Sequence, residues 1–132
     1  MPRVKRPLFA LLAALAFTSV MAAENLVPQR SSQAGVAVRV TPRTVTGPVW
    51  EFEVALDTHS RDLSDDLASS AALVVDGSAP AKPSGWQGDP PGGHHRKGVL
   101  RFDAPKPAPA AIELRIQRQG EPSPRPFRWS LH

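Results

Sequence analysis

Trp50-Glu51-Phe52-Glu53-Val54-Ala55-Leu56-Asp57 is the stretch that decides the fold. Large apolar side chains occupy every second position, with charged or small ones between them. Successive side chains of an extended chain point to opposite faces. A period of two therefore reads as a strand with one face buried and the other in water.

The same period returns on either side. Upstream, Val36, Val38 and Val40 alternate with Ala37, Arg39 and Thr41, and Pro42, which has no N–H to give a ladder, is expected to end that strand. Downstream, Ala72 to Val75 is short and apolar and stops at the turn pair Asp76-Gly77. Leu100 and Phe102 alternate with Arg101 and Asp103; Ile112, Leu114 and Ile116 with Glu113, Arg115 and Gln117; Phe127, Trp129 and Leu131 with Arg128 and Ser130. A seventh strand is a candidate around Ser84 to Gln87.

The connections are of another kind. Ser60 to Ser70 reads as a loop with a short helical turn capped by Asp62 or Ser64, and the paired acids Asp65-Asp66 read as a solvated turn. Pro80, Pro83, Pro90 and Pro91 keep regular strand out of most of 78–97, and Pro105, Pro107 and Pro109 stiffen the connection that follows. Strands with one apolar face are satisfied by packing two antiparallel sheets face to face. The expected fold is an all-β, immunoglobulin-like β-sandwich of about six or seven short antiparallel strands spanning 36–132, with a cupredoxin-like sandwich or small barrel as the alternative. Residues 23–35 are polar, without periodicity, and read as an irregular lead-in.

Residues 1–22 differ from all of this. Arg3, Lys5 and Arg6 precede an apolar run from Leu8 to Met21, which closes on Ala22-Ala23. Charged start, short apolar middle and small-residue end make a signal peptide helix, with cleavage after Ala22 or Ala23. The run is shorter than the ~20 residues a bilayer requires, so no transmembrane anchor is expected after cleavage. The expected location is periplasmic or secreted.

Cleavage alters the charge balance. The chain of 132 residues has 16 Lys+Arg and 12 Asp+Glu; the segment 1–22 takes three basic residues and no acid, leaving 13 against 12. Near-neutrality argues against a nucleic-acid partner, which calls for a clustered basic surface. The chain has no Cys, so thiolate and disulfide chemistry are excluded.

Thr58-His59-Ser60, and later Gly92-Gly93-His94-His95 ahead of the Leu100 strand, resemble an uncharacterised group of small secreted bacterial all-β domains that share a Thr-His-Ser turn and a Gly-His-His stretch. The likeness runs from about Val36 to Trp129. It implies an exported all-β domain and supplies no activity and no site residues.

The residues themselves offer one candidate site. His59 follows the strongest strand and His94 and His95 precede another; Asp57 stands beside them in sequence. Imidazole with carboxylate suits copper or zinc, if the two strand ends meet at one pole. The competing reading makes these residues polar loop anchors, with His59 holding a corner. His94, His95, Arg96 and Lys97 form a local basic cluster, and Arg125 and Arg128 another; both read as solvated or as a patch for an acidic partner. No nucleophile elbow, phosphate-cradling loop or paired-acid spacing occurs, so no enzymatic activity is expected, a small hydrolase being the weakest reading. A non-enzymatic interaction or accessory module with a protein partner in the cell envelope is the expected role. Divalent metal binding through His59, His94, His95 and Asp57 is the alternative.

Overall fold

A computed structural model describes residues 26–131. The expected signal peptide, 1–22, and His132 lie outside these residues. Eight strands form: β1 (Gln29–Gln33), β2 (Val36–Thr44), β3 (Val49–Thr58), β4 (Ala71–Val75), β5 (Gly85–Gly88), β6 (His95–Asp103), β7 (Ala111–Ile116) and β8 (Arg125–Ser130). One helical turn, α1 (Leu67–Ser70), precedes β4. The strands make a five-stranded sheet in the order β1-β2-β3-β6-β5 and a three-stranded sheet in the order β4-β7-β8. Every pairing between these strands is antiparallel. The β-sandwich expected from the alternation is the fold, with eight strands where six or seven were legible.

The alternating side chains meet between the sheets. Val38, Val40, Phe52, Val54, Leu56, Leu100 and Phe102 come from one layer; Leu73, Ile112, Leu114, Ile116, Phe127 and Trp129 come from the other. Phe52 is central. Its ring meets Phe102 edge-on with centroids 5.7 Å apart, and reaches across to Trp129 at 6.0 Å. Each such fully buried side chain contributes about 1.5–3 kcal/mol. Leu63 and Leu67, from the loop that carries the helical turn, are buried in the same core. The helical turn starts after Asp66, whose carbonyl accepts from Ser70 N at 2.9 Å; neither Asp62 nor Ser64 caps it.

Two expectations need correction. The lead-in is not wholly irregular, because Gln29 to Gln33 form β1 and pair with β2 from Gln29↔Val40 to Gln33↔Val36. This strand has no apolar residue, so periodicity could not reveal it. It is held by backbone pairing and by Arg125, whose guanidinium donates to the carbonyls of Ser31 (3.1 Å), Gln33 (3.0 Å) and Val36 (2.9 Å). Nor does Pro42 end β2, which continues to Thr44 through a register shift opposite Phe52. The β1 ladder stops at Val40, so beyond that point β2 has one partner and the missing N–H costs nothing on its other side.

Sheet borders are covered in distinct ways, which limits edge-to-edge association. The Gln29 amide bonds both the N–H and the carbonyl of Arg128, fastening β1 to β8 across the layers. Trp129 Nε1 donates to Val27 O at 2.8 Å beside it. Ala81 exchanges two backbone bonds with Leu73 of β4. β5 has only four residues, flanked by Pro83 and Pro90.

Candidate functional site

The β1–β2 turn, the end of β3 and the start of β6 meet at one pole. Thr58 is the joint between them. Its side chain falls on the inward parity of β3 and is buried; Oγ1 donates to Gly35 O at 2.8 Å and accepts from the N–H groups of Ser60 (3.3 Å) and Arg61 (3.2 Å). Its own N–H donates to His94 O at 2.9 Å. The Thr-His-Ser segment is therefore a corner, as the structural reading of His59 anticipated, although Thr58 makes the bonds and His59 stands exposed beside it.

Asp57 and His95 are opposite each other in the β3–β6 register, and Asp57 Oδ1 lies 2.5 Å from His95 Nδ1. Both side chains are more than half exposed. Arg30, Ser32, Ala37, Asp57, His59 and His95 line an open cavity of about 510 Å³. Three of the four candidate ligands, Asp57, His59 and His95, thus share one wall. His94 is exposed outside the cavity, consistent with neighbouring residues pointing to opposite faces. Among the described residues, no three His, Cys, Asp or Glu side chains are grouped so as to hold a metal ion. Across the sheet the residues run Ser32, Ala37, Asp57, His95. The acid sits between serine and histidine, the wrong order for a serine nucleophile activated by an imidazole.

The cavity lies at one end of a charged face, the outer side of the five-stranded sheet. The three acids that β3 places on this face are engaged, while Asp103 of β6 stands exposed at its far end opposite Val49. Glu51 binds Arg101 at 3.1 Å, Glu53 binds Arg43 and Lys97 (the latter at 3.4 Å), and Asp57 binds His95. Two cations remain. Arg30 of β1 and Arg39 of β2 are direct cross-strand partners, both exposed, and neither meets an acid among the described residues. Ala55 follows Arg39 in the same row, and Lys97 follows Ala55.

Several charged groups read as solvated are instead interior. Arg96 is 2% exposed: its Nη1 donates to the carbonyls of Leu63 (3.1 Å) and Asp65 (2.6 Å), its Nη2 to Asp89 O (3.3 Å), and its guanidinium stacks 5.7 Å from the Trp86 ring. Asp65 pairs with Arg118 at 3.0 Å, and Arg125 binds Glu121 at 2.6 Å, all four side chains at most 10% exposed. The Arg125 hydrogen bond holds the Glu121 carboxyl below the usual range, outweighing burial, with help from the charges of Arg125 and Arg118. Burial pushes Glu113 up, yet the bonds and charges of Arg115 and Arg128 hold it low. Parity was the available signal: Arg96 shares the inward register of Leu100 and Phe102, and Arg125 that of Phe127 and Trp129. Only Arg128 of the two tail arginines is a surface group.

Comparison with protein-family models, curated proteins and solved structures finds no match to this chain.

Proposed function

We propose that this chain is an exported, non-enzymatic interaction module that acts in the periplasm or outside the cell and meets a protein partner of the cell envelope. The observation that carries the reading is the Arg30–Arg39 pair. Like charges directly opposite across strands are destabilising, and here neither arginine is ion-paired with an acid among the described residues. A binding partner is a physical reason for keeping such a pair, since surfaces used in recognition hold arrangements that folding alone disfavours. The pattern of residues 1–22 supports export.

The test is a pull-down from periplasmic extract at low salt with the processed chain and with the double variant Arg30→Gln/Arg39→Gln. A partner held by the first and lost by the second is the expected result; equal retention, or none by either, defeats the reading. Export is checked by sequencing the amino terminus of the periplasmic protein, which should start at Ala23 or Glu24.

Divalent metal binding stays as a second reading because of the Asp57–His95 pair. A carboxylate on Nδ1 fixes the ring and leaves Nε2 free as a copper or zinc ligand, with His59 on the same cavity wall. Titration with Cu(II) and Zn(II) decides it: His95→Ala should abolish binding while His94→Ala leaves it unchanged, and loss in both variants or binding by neither protein ends it.

A further inference from the structure

We infer that the Arg30–Arg39 pair and the adjoining cavity receive an extended acidic segment of a protein partner, with carboxylates at alternate positions. The inference rests on the interaction-module reading and names the partner's chemistry.

Four observations lead there. Arg30 and Arg39 lie side by side, with Cβ atoms about 5 Å apart in such a register. Two guanidinium groups at that spacing suit carboxylates at positions i and i+2 of an extended chain, about 6.6 Å apart along it. Next to the pair, the cavity offers the Ser32 hydroxyl and exposed His59, with Arg30 on its wall. Asp57, the one acid lining it, is already occupied by His95 and so competes little for the arginines.

Other anionic partners fit less well. Single-stranded nucleic acid is gripped by aromatic stacking on the exposed face. The one tryptophan of the five-stranded sheet's edge, Trp86, is instead packed over Gly98 and Arg96. A uniformly anionic lipid surface would press on Glu51, Glu53 and Asp57 as well as on the arginines. A peptide places its carboxylates on the arginine pair alone.

The experiment uses the processed chain and a short alternating Glu-Thr peptide, with the Gln-Thr peptide as its neutral analogue. Binding is followed by titration at about 50 mM and about 300 mM salt, where screening separates charge-driven contacts from the rest. The wild-type chain should bind the acidic peptide, lose most affinity at the higher salt and ignore the analogue. Arg39→Glu should weaken binding at least about tenfold. The same variant places an acid opposite Arg30, so its thermal midpoint should rise by a few degrees. A merely structural role for Arg39 would not give opposite changes in binding and stability. Lys106→Glu alters net charge equally on the exposed β6–β7 connection and should bind as wild type.

Equal weakening by Lys106→Glu overturns the inference, as does tighter, Arg39-dependent binding to phosphatidylglycerol vesicles than to peptide. Failure of the peptide while Arg30→Gln/Arg39→Gln still loses an envelope partner overturns the acidic assignment and leaves the module reading standing.

Discussion

Arg125 Nη2 lies 2.6 Å from Glu121 Oε2, and the arginine side chain is 1% exposed. The same guanidinium reaches two carbonyls of β1 and that of Val36 at the start of β2, so one buried cation joins β8 to the first two strands. Arg125→Ala leaves a buried carboxylate short of a partner and three carbonyls without their donor. It should cost about 3–5 kcal/mol in urea unfolding.

The pair also sets an acid limit. The Glu121 carboxyl is held below the value of about 4.5 expected in an unfolded chain. A depressed native value stabilises the fold above the unfolded value, and that stability is lost as pH falls through the native one. The urea midpoint of the wild type should therefore fall as pH drops below about 4.5. In Glu121→Gln it should start lower at neutral pH and fall less steeply on acidification; parallel profiles would contradict this.

Gly98 is required by a tryptophan. A Cβ there would lie 2.5 Å from Trp86 Cζ2 and 2.7 Å from Gly88 Cα, so Gly98→Ala must push β5 and the indole aside. Overpacking of this sort costs about 1–3 kcal/mol. Chemical unfolding should show that loss, with a red shift in tryptophan emission as Trp86 leaves its contact with Arg96; an unchanged spectrum and midpoint would count against it.

Thr58→Val keeps the shape at the pole and removes three hydrogen bonds. The expected cost is about 1–3 kcal/mol, since the Gly35 carbonyl and the N–H groups of Ser60 and Arg61 lose their partner. Amide exchange should quicken at Ser60 and Arg61 and leave the Phe52 region protected.

Much of the fold was legible because burial on a sheet imposes a period of two. β3, β6, β7 and β8 were read from that period, and β4 from its short apolar run before Asp76-Gly77. β1 was not, because its inward register holds Gln29, Ser31 and Gln33, and its fixing group, Arg125, lies on the far strand. The charged interior was missed for a related reason. Arg96 and Arg125 look soluble by residue type, and only the strand register, together with backbone carbonyls gathered from distant loops, makes their burial tolerable. Of the candidate site, the residues Asp57, His59, His94 and His95 stood out by their places at strand ends, but whether those ends share a pole depended on the β3–β6 register, which pairs Asp57 with His95 and leaves His94 outside the cavity. The idle Arg30–Arg39 pair needed the β1–β2 register, which no local pattern displays.

Val27 and Trp129 are hydrogen-bonded although 102 positions apart. Contacts between strands so distant in sequence close late and slow folding. A ribosome-bound chain lacking β8 has neither the Arg125 clamp on β1 nor the Trp129 bond to Val27 just ahead of it. Completion of this sandwich must therefore wait until synthesis has passed Trp129, which leaves the emerging polypeptide open to chaperones before it locks.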